Sequence, residues 1–233
     1  DNWFRPVQVR TGPDGALYVV DMYRQVIEHP EYISKETQPK LKLRAGDDKG
    51  RIYRVVPVHG ELRSVPKLNE LSTADLVTQL ESPNGTLRDM THQLLVERAG
   101  NTLVEPLRNL LRTSVSPQTR LHALNILEGL NALTADDLAI ALAHESSGLR
   151  RNAIRLAAAQ TNDSPELGDA MLKSLDDPDA LVRMELVYAL GEWNDPRAAS
   201  AIAQRIEHDK PDSYLGMALL SSLNASNVRA LTP

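Results

Sequence analysis

The chain has 233 residues, 42% of them hydrophobic, no Cys and a net charge of −5. The absence of Cys excludes disulfides, thiolate metal sites, a catalytic Cys and a covalently attached c-type haem within these residues. No apolar run approaches the roughly 18–20 residues that a membrane-spanning helix needs. The charge is uneven: residues 1–67 carry 12 Lys and Arg against 9 Asp and Glu, while residues 68–233 carry 14 against 22. Six of the nine aromatic residues precede residue 60. Both shifts place a boundary near Lys67, and the acidic larger part argues against a nucleic-acid partner.

The first part opens with "FRPVQVRTGPDGALYVVDMY". Val7 and Val9 alternate with Gln8 and Arg10, and Leu17 and Val19 alternate with Tyr18 and Val20. The period of two predicts strands, and the Pro-Asp-Gly between them supplies the fixed and positive φ angles of a hairpin turn. A third strand, "GRIYRVVPV", follows a polar, Pro-containing stretch, "EHPEYISKETQPKLKLRAGDDKG", that reads as a long excursion loop. Three strands are too few for an independent domain but make most of one four-stranded propeller blade.

A polar cluster of Asp21, Tyr23, Arg24, Glu28 and His29 falls at the end of the second strand and in the loop after it. Loops at strand ends are where rigid scaffolds carry function. His29 is the candidate general base, with Glu28 or Asp21 to orient it, and Arg24 is the candidate partner for a carboxylate of a substrate or a quinone. The plain structural alternative has Asp21 capping a turn, Tyr23 packing, Arg24 pairing with Glu28 at i, i+4, and His29 fixing the loop ahead of Pro30. Asp14 in "GPDG" reads as a turn residue. The adjacent Asp47 and Asp48 fall far short of the six to eight oxygens of a calcium site.

The second part repeats. "TLRDMTHQLLVERAG", "QTRLHALNILEGL", "GLRRNAIRLAAAQ" and "ALVRMELVYALGEW" align on Arg88, Arg120, Arg150 and Arg183, at spacings of 32, 30 and 33. A further step of 33 reaches Gly216 in "SYLGMALLSSL", where the Arg is lost and the apolar pattern continues. Each unit reads as two helices, with the second marked by Leu181, Met184, Val187, Tyr188 and Leu190 and the first by Leu138, Ile140, Ala141 and Leu142. Breakers such as "SPNG", "DDPD" and "DKPD" separate them, and Pro83, Pro178 and Pro211 each stand five residues before the repeating column. Asp and Ser ahead of the second helices are candidate N-caps. His92, His122 and His144 occur once per unit at offsets of +4, +2 and −6 from the Arg, so they are not expected to share a face.

Over about residues 72–225 this pattern resembles HEAT repeats, and "DDPDALVRMELVYALGEWNDPRA" is its clearest unit. The resemblance implies that the column arginines, with Asp176, Asp177 and Asp179 beside Arg183, brace adjacent units. Such solenoids mostly bind other proteins. Over residues 1–58, "WFRPVQVRTGPDGALYVVDMYRQVIEHPEYI" followed by "GRIYRVVP" resembles the last propeller segment of the planctomycete-type membrane-bound dehydrogenases. In those proteins a quinoprotein-like propeller precedes HEAT repeats, and a c-type cytochrome domain commonly follows. Its Cys-x-x-Cys-His is absent here.

The expected fold is mainly α: a HEAT-like α–α superhelix of about five helical pairs over residues 68–233, preceded by a short antiparallel β segment over residues 1–67 that resembles one blade. The chain is expected to be the C-terminal part of a longer exported protein, periplasmic or on the cell surface. In that protein it serves as an interaction scaffold for a protein partner or a neighbouring domain. The alternative is part of a sugar or alcohol dehydrogenase whose quinone or haem sits mostly in other blades. No cofactor is expected within this chain itself.

Overall fold

The computed structural model describes residues 2–98, 100–208, 213–225 and 227–228. The chain divides into two compact units, residues 1–70 with 82–90, and residues 71–81 with 91–233.

The first unit is built on three antiparallel strands in the order β1 (Pro6–Thr11), β2 (Leu17–Asp21) and β3 (Arg51–Val55). Register pairs Val9 with Val19 and Val19 with Tyr53, and Thr11 with Leu17 and Leu17 with Val55. Directly opposed residues share a face, so these side chains, apolar or aromatic apart from Thr11, line one side of the sheet. The turn closes through Gly12 N–H to Ala16 O at 2.8 Å, with Gly15 at φ 85°. Asp14 is more than a turn residue. Its buried carboxylate accepts from Ala16 N, from the Tyr18 hydroxyl at 3.0 Å and from Arg54 Nε at 2.8 Å, and so ties the turn to β3. Burial alone would raise its pKa; the Ala16 amide, the Arg54 guanidinium and the Tyr18 hydroxyl outweigh burial and lower it.

The stretch between β2 and β3 is less featureless than its sequence suggests. It forms two 3₁₀ turns, Pro30–Tyr32 and Gln38–Lys40, and Gln38 Nε2 ties them by donating to Pro30 O at 2.7 Å and Ile33 O at 2.9 Å. Residues 82–90 join this unit because Asn84 Nδ2 donates to Gly12 O at 2.8 Å and Thr86 Oγ1 to Thr11 O at 2.6 Å.

Five helical pairs follow among the described residues: α1 (Thr73–Gln79) with α2 (Gly85–Arg98), α3 (Val104–Thr113) with α4 (Pro117–Gly129), α5 (Ala135–Leu142) with α6 (Ser147–Ala158), α7 (Pro165–Leu172) with α8 (Ala180–Glu192), and α9 (Pro196–His208) with α10 (Ser213–Ser221). First helices pack on first helices from α1 through α7, and second helices on second helices from α4 through α10. Capping follows the sequence. Ser72 accepts from Asp75 N, Ser116 from Thr119 N, and Asp179 from Leu181 N and Val182 N, while Thr134 and Asp137 form a capping box. Ser146 makes no such bond. Pro117 and Pro165 occupy first helical positions, where their missing N–H costs nothing. Pro211 and the "DKPD" breaker lie outside the described residues.

The core is the seam between helices: Leu76, Leu107, Leu124, Leu138, Ile154 and Val187 are fully buried. Each buried side chain of this size contributes about 1.5–3 kcal/mol. One part of the predicted stripe is displaced. On α8 the buried residues are Val182, Leu186, Val187, Ala189 and Leu190, whereas Leu181 and Tyr188 are 50% and 44% exposed. A helix apolar on most of its circumference does not reveal from its sequence which arc is covered.

Candidate functional site

Asp21 ends β2 and is buried. Its Oδ1 accepts from Arg5 N at 2.8 Å and Tyr23 N at 2.9 Å, and its Oδ2 lies 3.8 Å from Arg51 Nε. These contacts fasten Tyr23 in the left-handed region at φ 50°. The Tyr23 ring stacks on Trp3 at 5.3 Å, and the Arg51 guanidinium lies 3.9 Å from its centre. Gly46, at φ 92°, passes so close to the Tyr23 carbonyl that a Cβ there would collide with it. The carboxylate of Asp21 thus serves backbone geometry, and Asp21 does not line the cleft described next.

Arg24, Glu28, His29 and Arg44 line one open cleft of about 570 Å³ over apolar Met22, Ile27 and Leu43. The i, i+4 pairing of Arg24 with Glu28 is replaced: Arg24 Nη1 donates to Arg44 O at 3.1 Å, and Glu28 Oε2 accepts from Ile27 N at 3.3 Å. His29 Nδ1 accepts from Glu31 N at 3.4 Å and lies 3.8 Å from Glu31 Oε2. Glu31, rather than Glu28 or Asp21, therefore stands beside the ring, and it holds the ring through its backbone N–H. With Nδ1 accepting, the neutral ring carries its proton on Nε2. In this arrangement His29 presents a donor to solvent, as do the two guanidiniums.

The column arginines do one thing in common. Arg88, Arg120, Arg150 and Arg183 each donate to the carbonyl six residues earlier: Ser82 O at 2.7 Å, Ser114 O at 2.6 Å, His144 O at 2.9 Å and Asp177 O at 2.7 Å. Each satisfies a carbonyl left over from the preceding turn. The aspartates expected beside Arg183 go elsewhere. Asp177 takes Arg150 of the preceding unit, Asp179 caps its own helix, and Asp176 takes Arg205 Nη1 at 2.8 Å. Among the described residues Arg150 is thus the member of the column seen to reach a carboxylate one unit on.

Further bonds join neighbouring units. Arg108 Nε donates to fully buried Asp137 at 3.1 Å, and Arg197 Nη1 to Asp169 at 2.5 Å. Together with Arg150–Asp177 and Arg205–Asp176 these partners stand 27 to 29 residues apart. An Arg and an Asp spaced slightly less than one repeat is the signal that would have found them. Hydrogen bonds to Glu105 and Asp137 raise the Arg108 pKa against the opposing effect of burial.

The histidines overturn an expectation. His92 and His122, at different offsets from the column, meet with their Nδ1 atoms 3.1 Å apart. Offset +4 on α2 and offset +2 on α4 thus come within reach of each other, so unequal offsets do not keep two side chains apart. His144 remains apart, with Nδ1 accepting from Ser146 N at 3.0 Å. Among the described residues no group of three or more His, Asp or Glu is placed to hold a metal ion, and no helix is long and apolar enough to cross a membrane.

Residues 1–59 match the family model of a domain of unknown function, DUF7133. No curated protein matches the chain. Residues 135–224 match the model for HEAT repeats, and the helical unit is a HEAT-like solenoid.

Proposed function

We propose that the helical unit is a protein-interaction scaffold within a larger exported protein. The supporting observation is the laterally joined face of its second helices. His92 meets His122 on the next second helix, Asn125 Nδ2 donates to Asn152 Oδ1 at 3.0 Å, and Arg155 Nη2 donates to Asn125 Oδ1 at 3.4 Å. Side chains braced this way form a continuous surface across three repeats, the kind of preformed face that binds with little ordering cost. The chain has no Cys, so single cysteines carrying a photocrosslinker can be placed cleanly. Probes at Gln93, Glu128 and Glu192 on second helices should trap a discrete partner in the source cells. Probes at Asn109, Asp136 and Glu166 on first helices should not. Trapping from neither set rejects the scaffold reading.

A second reading rests on Arg24, Arg44 and His29 sharing one cleft. It makes residues 1–59 part of a sugar or alcohol dehydrogenase facing the periplasm or cell surface, and its support is the resemblance of this stretch to such proteins. With no Cys, these residues do not fit a covalently attached haem. Guanidiniums and an Nε2–H do suit the carboxylates of an acidic quinone, which when bound would supply the electron-accepting ring. In that case this chain's residues would hold and orient the anion. Sugar-dependent dye reduction by the full-length protein should fall at least ~10-fold in Arg24→Ala and in His29→Ala; unchanged rates reject this reading.

A further inference from the structure

The position five residues after each repeating Arg is Gln93, Asn125, Arg155 and Tyr188. The bond from Arg155 to Asn125 brings two of these positions within reach of each other across α4 and α6. α6 in turn packs on α8, so the exposed residues of these two second helices lie on neighbouring elements. Residues 68–233 carry 22 Asp and Glu against 14 Lys and Arg, yet α6 contains no Asp or Glu. Its exposed Arg151 and Arg155 lie one turn apart, and neither is ion-paired among the described residues. Leu181 and Tyr188 on α8 are 50% and 44% exposed. An acidic unit thus presents two uncompensated guanidiniums alongside exposed apolar side chains.

Resting on the scaffold reading, we propose that this face of α6 and α8 binds an acidic peptide segment carrying a large apolar residue. Guanidiniums take Asp and Glu carboxylates through two parallel N–H···O bonds. An apolar anchor would cover Tyr188 and Leu181, and Tyr and Arg are among the side chains enriched at the centre of binding hot spots. The surrounding negative charge would repel the dense phosphates of a nucleic acid while leaving a short acidic stretch free to reach the two arginines.

The test is fluorescence anisotropy of the full chain with a labelled peptide alternating Glu with Leu and Phe. Three comparison probes are its Lys counterpart, an all-Glu peptide and a single-stranded oligonucleotide. The Glu/Leu/Phe peptide should bind in a salt-dependent way, and at least ~10-fold more weakly to Arg151→Glu/Arg155→Glu. Arg151→Gln/Arg155→Gln should weaken binding to a lesser degree, and it serves if the charge reversal fails to fold. Leu181→Ser/Tyr188→Ser should weaken the peptide towards the level of the all-Glu probe. Arg112→Glu, on exposed α3 surface, should change nothing. Absence of binding, equal binding of the Lys peptide or the oligonucleotide, or insensitivity to the Arg151/Arg155 variants overturns the proposal. Partner crosslinking from Gln93 or Glu128 alongside such a result would leave the scaffold reading standing and reject only this one.

Discussion

Arg150 grips Asp177 through both carboxylate oxygens, Nε to Oδ2 at 2.6 Å and Nη2 to Oδ1 at 2.8 Å, across 27 residues of sequence. The same guanidinium donates through Nη1 to His144 O and Glu145 O of its own turn. One side chain therefore closes its own helical pair and fastens it to the next. Both partners are largely buried, with side-chain exposures of 14% and 6%, so breaking the pair strands a charge. Arg150→Ala should cost about 2–4 kcal/mol in urea denaturation. Arg120→Ala removes a carbonyl bond without such a pair and should cost about 1 kcal/mol. Arg150→Lys should recover little, because an ammonium cannot reproduce the two-point grip.

Acid should unfold the repeats through these carboxylates. Burial alone would raise the Asp177 pKa, but Arg150 and the Asp179 amide outweigh it and hold it below the ordinary 3.8. The Arg197 side chain and amide hold Asp195 at about 2. A carboxyl depressed in the folded state contributes stability above its unfolded value and loses it as pH falls through the folded one. Stability measured by urea midpoint should therefore drop from about pH 4.5 down to about 2. Asp177→Asn should start lower and fall less steeply over that range.

A separate loss should appear nearer neutrality. Burial first, then the positive charge of Arg120, lowers the His144 pKa from 6.5. Its Nδ1 is also committed as an acceptor from Ser146 N, which favours the neutral ring. Stability from this group is present above 6.5 and is lost as pH falls through the lowered folded value. His144→Asn, which can accept the same amide bond in a turn, should flatten the stability profile between about pH 7 and 5 while leaving the acid limb in place.

Gly168 on α7 faces the buried ring of Trp193, and a Cβ there would overlap the ring carbons. The helix-propensity gain of Gly168→Ala should be outweighed by overpacking, for a net loss of about 1–2 kcal/mol. A double-mutant cycle with Trp193→Leu should show strong non-additivity, with the smaller ring partner relieving the clash. Additive losses would mean that the two sites do not press on each other.

Removing Arg108 should leave Asp137 buried among partners that cannot neutralise it. Asp137 Oδ2 also accepts from Thr134 N and Thr134 Oγ1, but Arg108 is its only cationic contact in the described structure. Arg108→Ala should cost about 3 kcal/mol by thermal or urea unfolding. Arg108→Ala/Asp137→Asn should regain part of that loss, because an amide keeps the cap without the stranded charge.

The helical pairs were legible because burial of one stripe per helix imposes a period, and the turns between them carry Pro, Asp and Ser for reasons that act within a few residues. The column Arg was legible for a related reason. Its common bond reaches only six residues back, so the repeat preserves it in register. The strands and the Pro-Asp-Gly turn were likewise local. By contrast, the partners of Asp176 and Asp177, the meeting of His92 with His122, and the exposure of Leu181 and Tyr188 all depend on how one helix is staggered against the next. The polar cluster after β2 shows the same division. The sequence places Asp21, Arg24 and His29 close together along the chain, but backbone amides from Arg5 and Tyr23 claim Asp21 while Arg24 and His29 turn into a cleft with Arg44. Composition and periodicity by themselves determined the helical solenoid, its repeat and the short sheet before it. Tertiary packing decided which charges neutralise each other and which remain exposed, because those outcomes rest on distances between residues about one repeat apart that no local preference encodes.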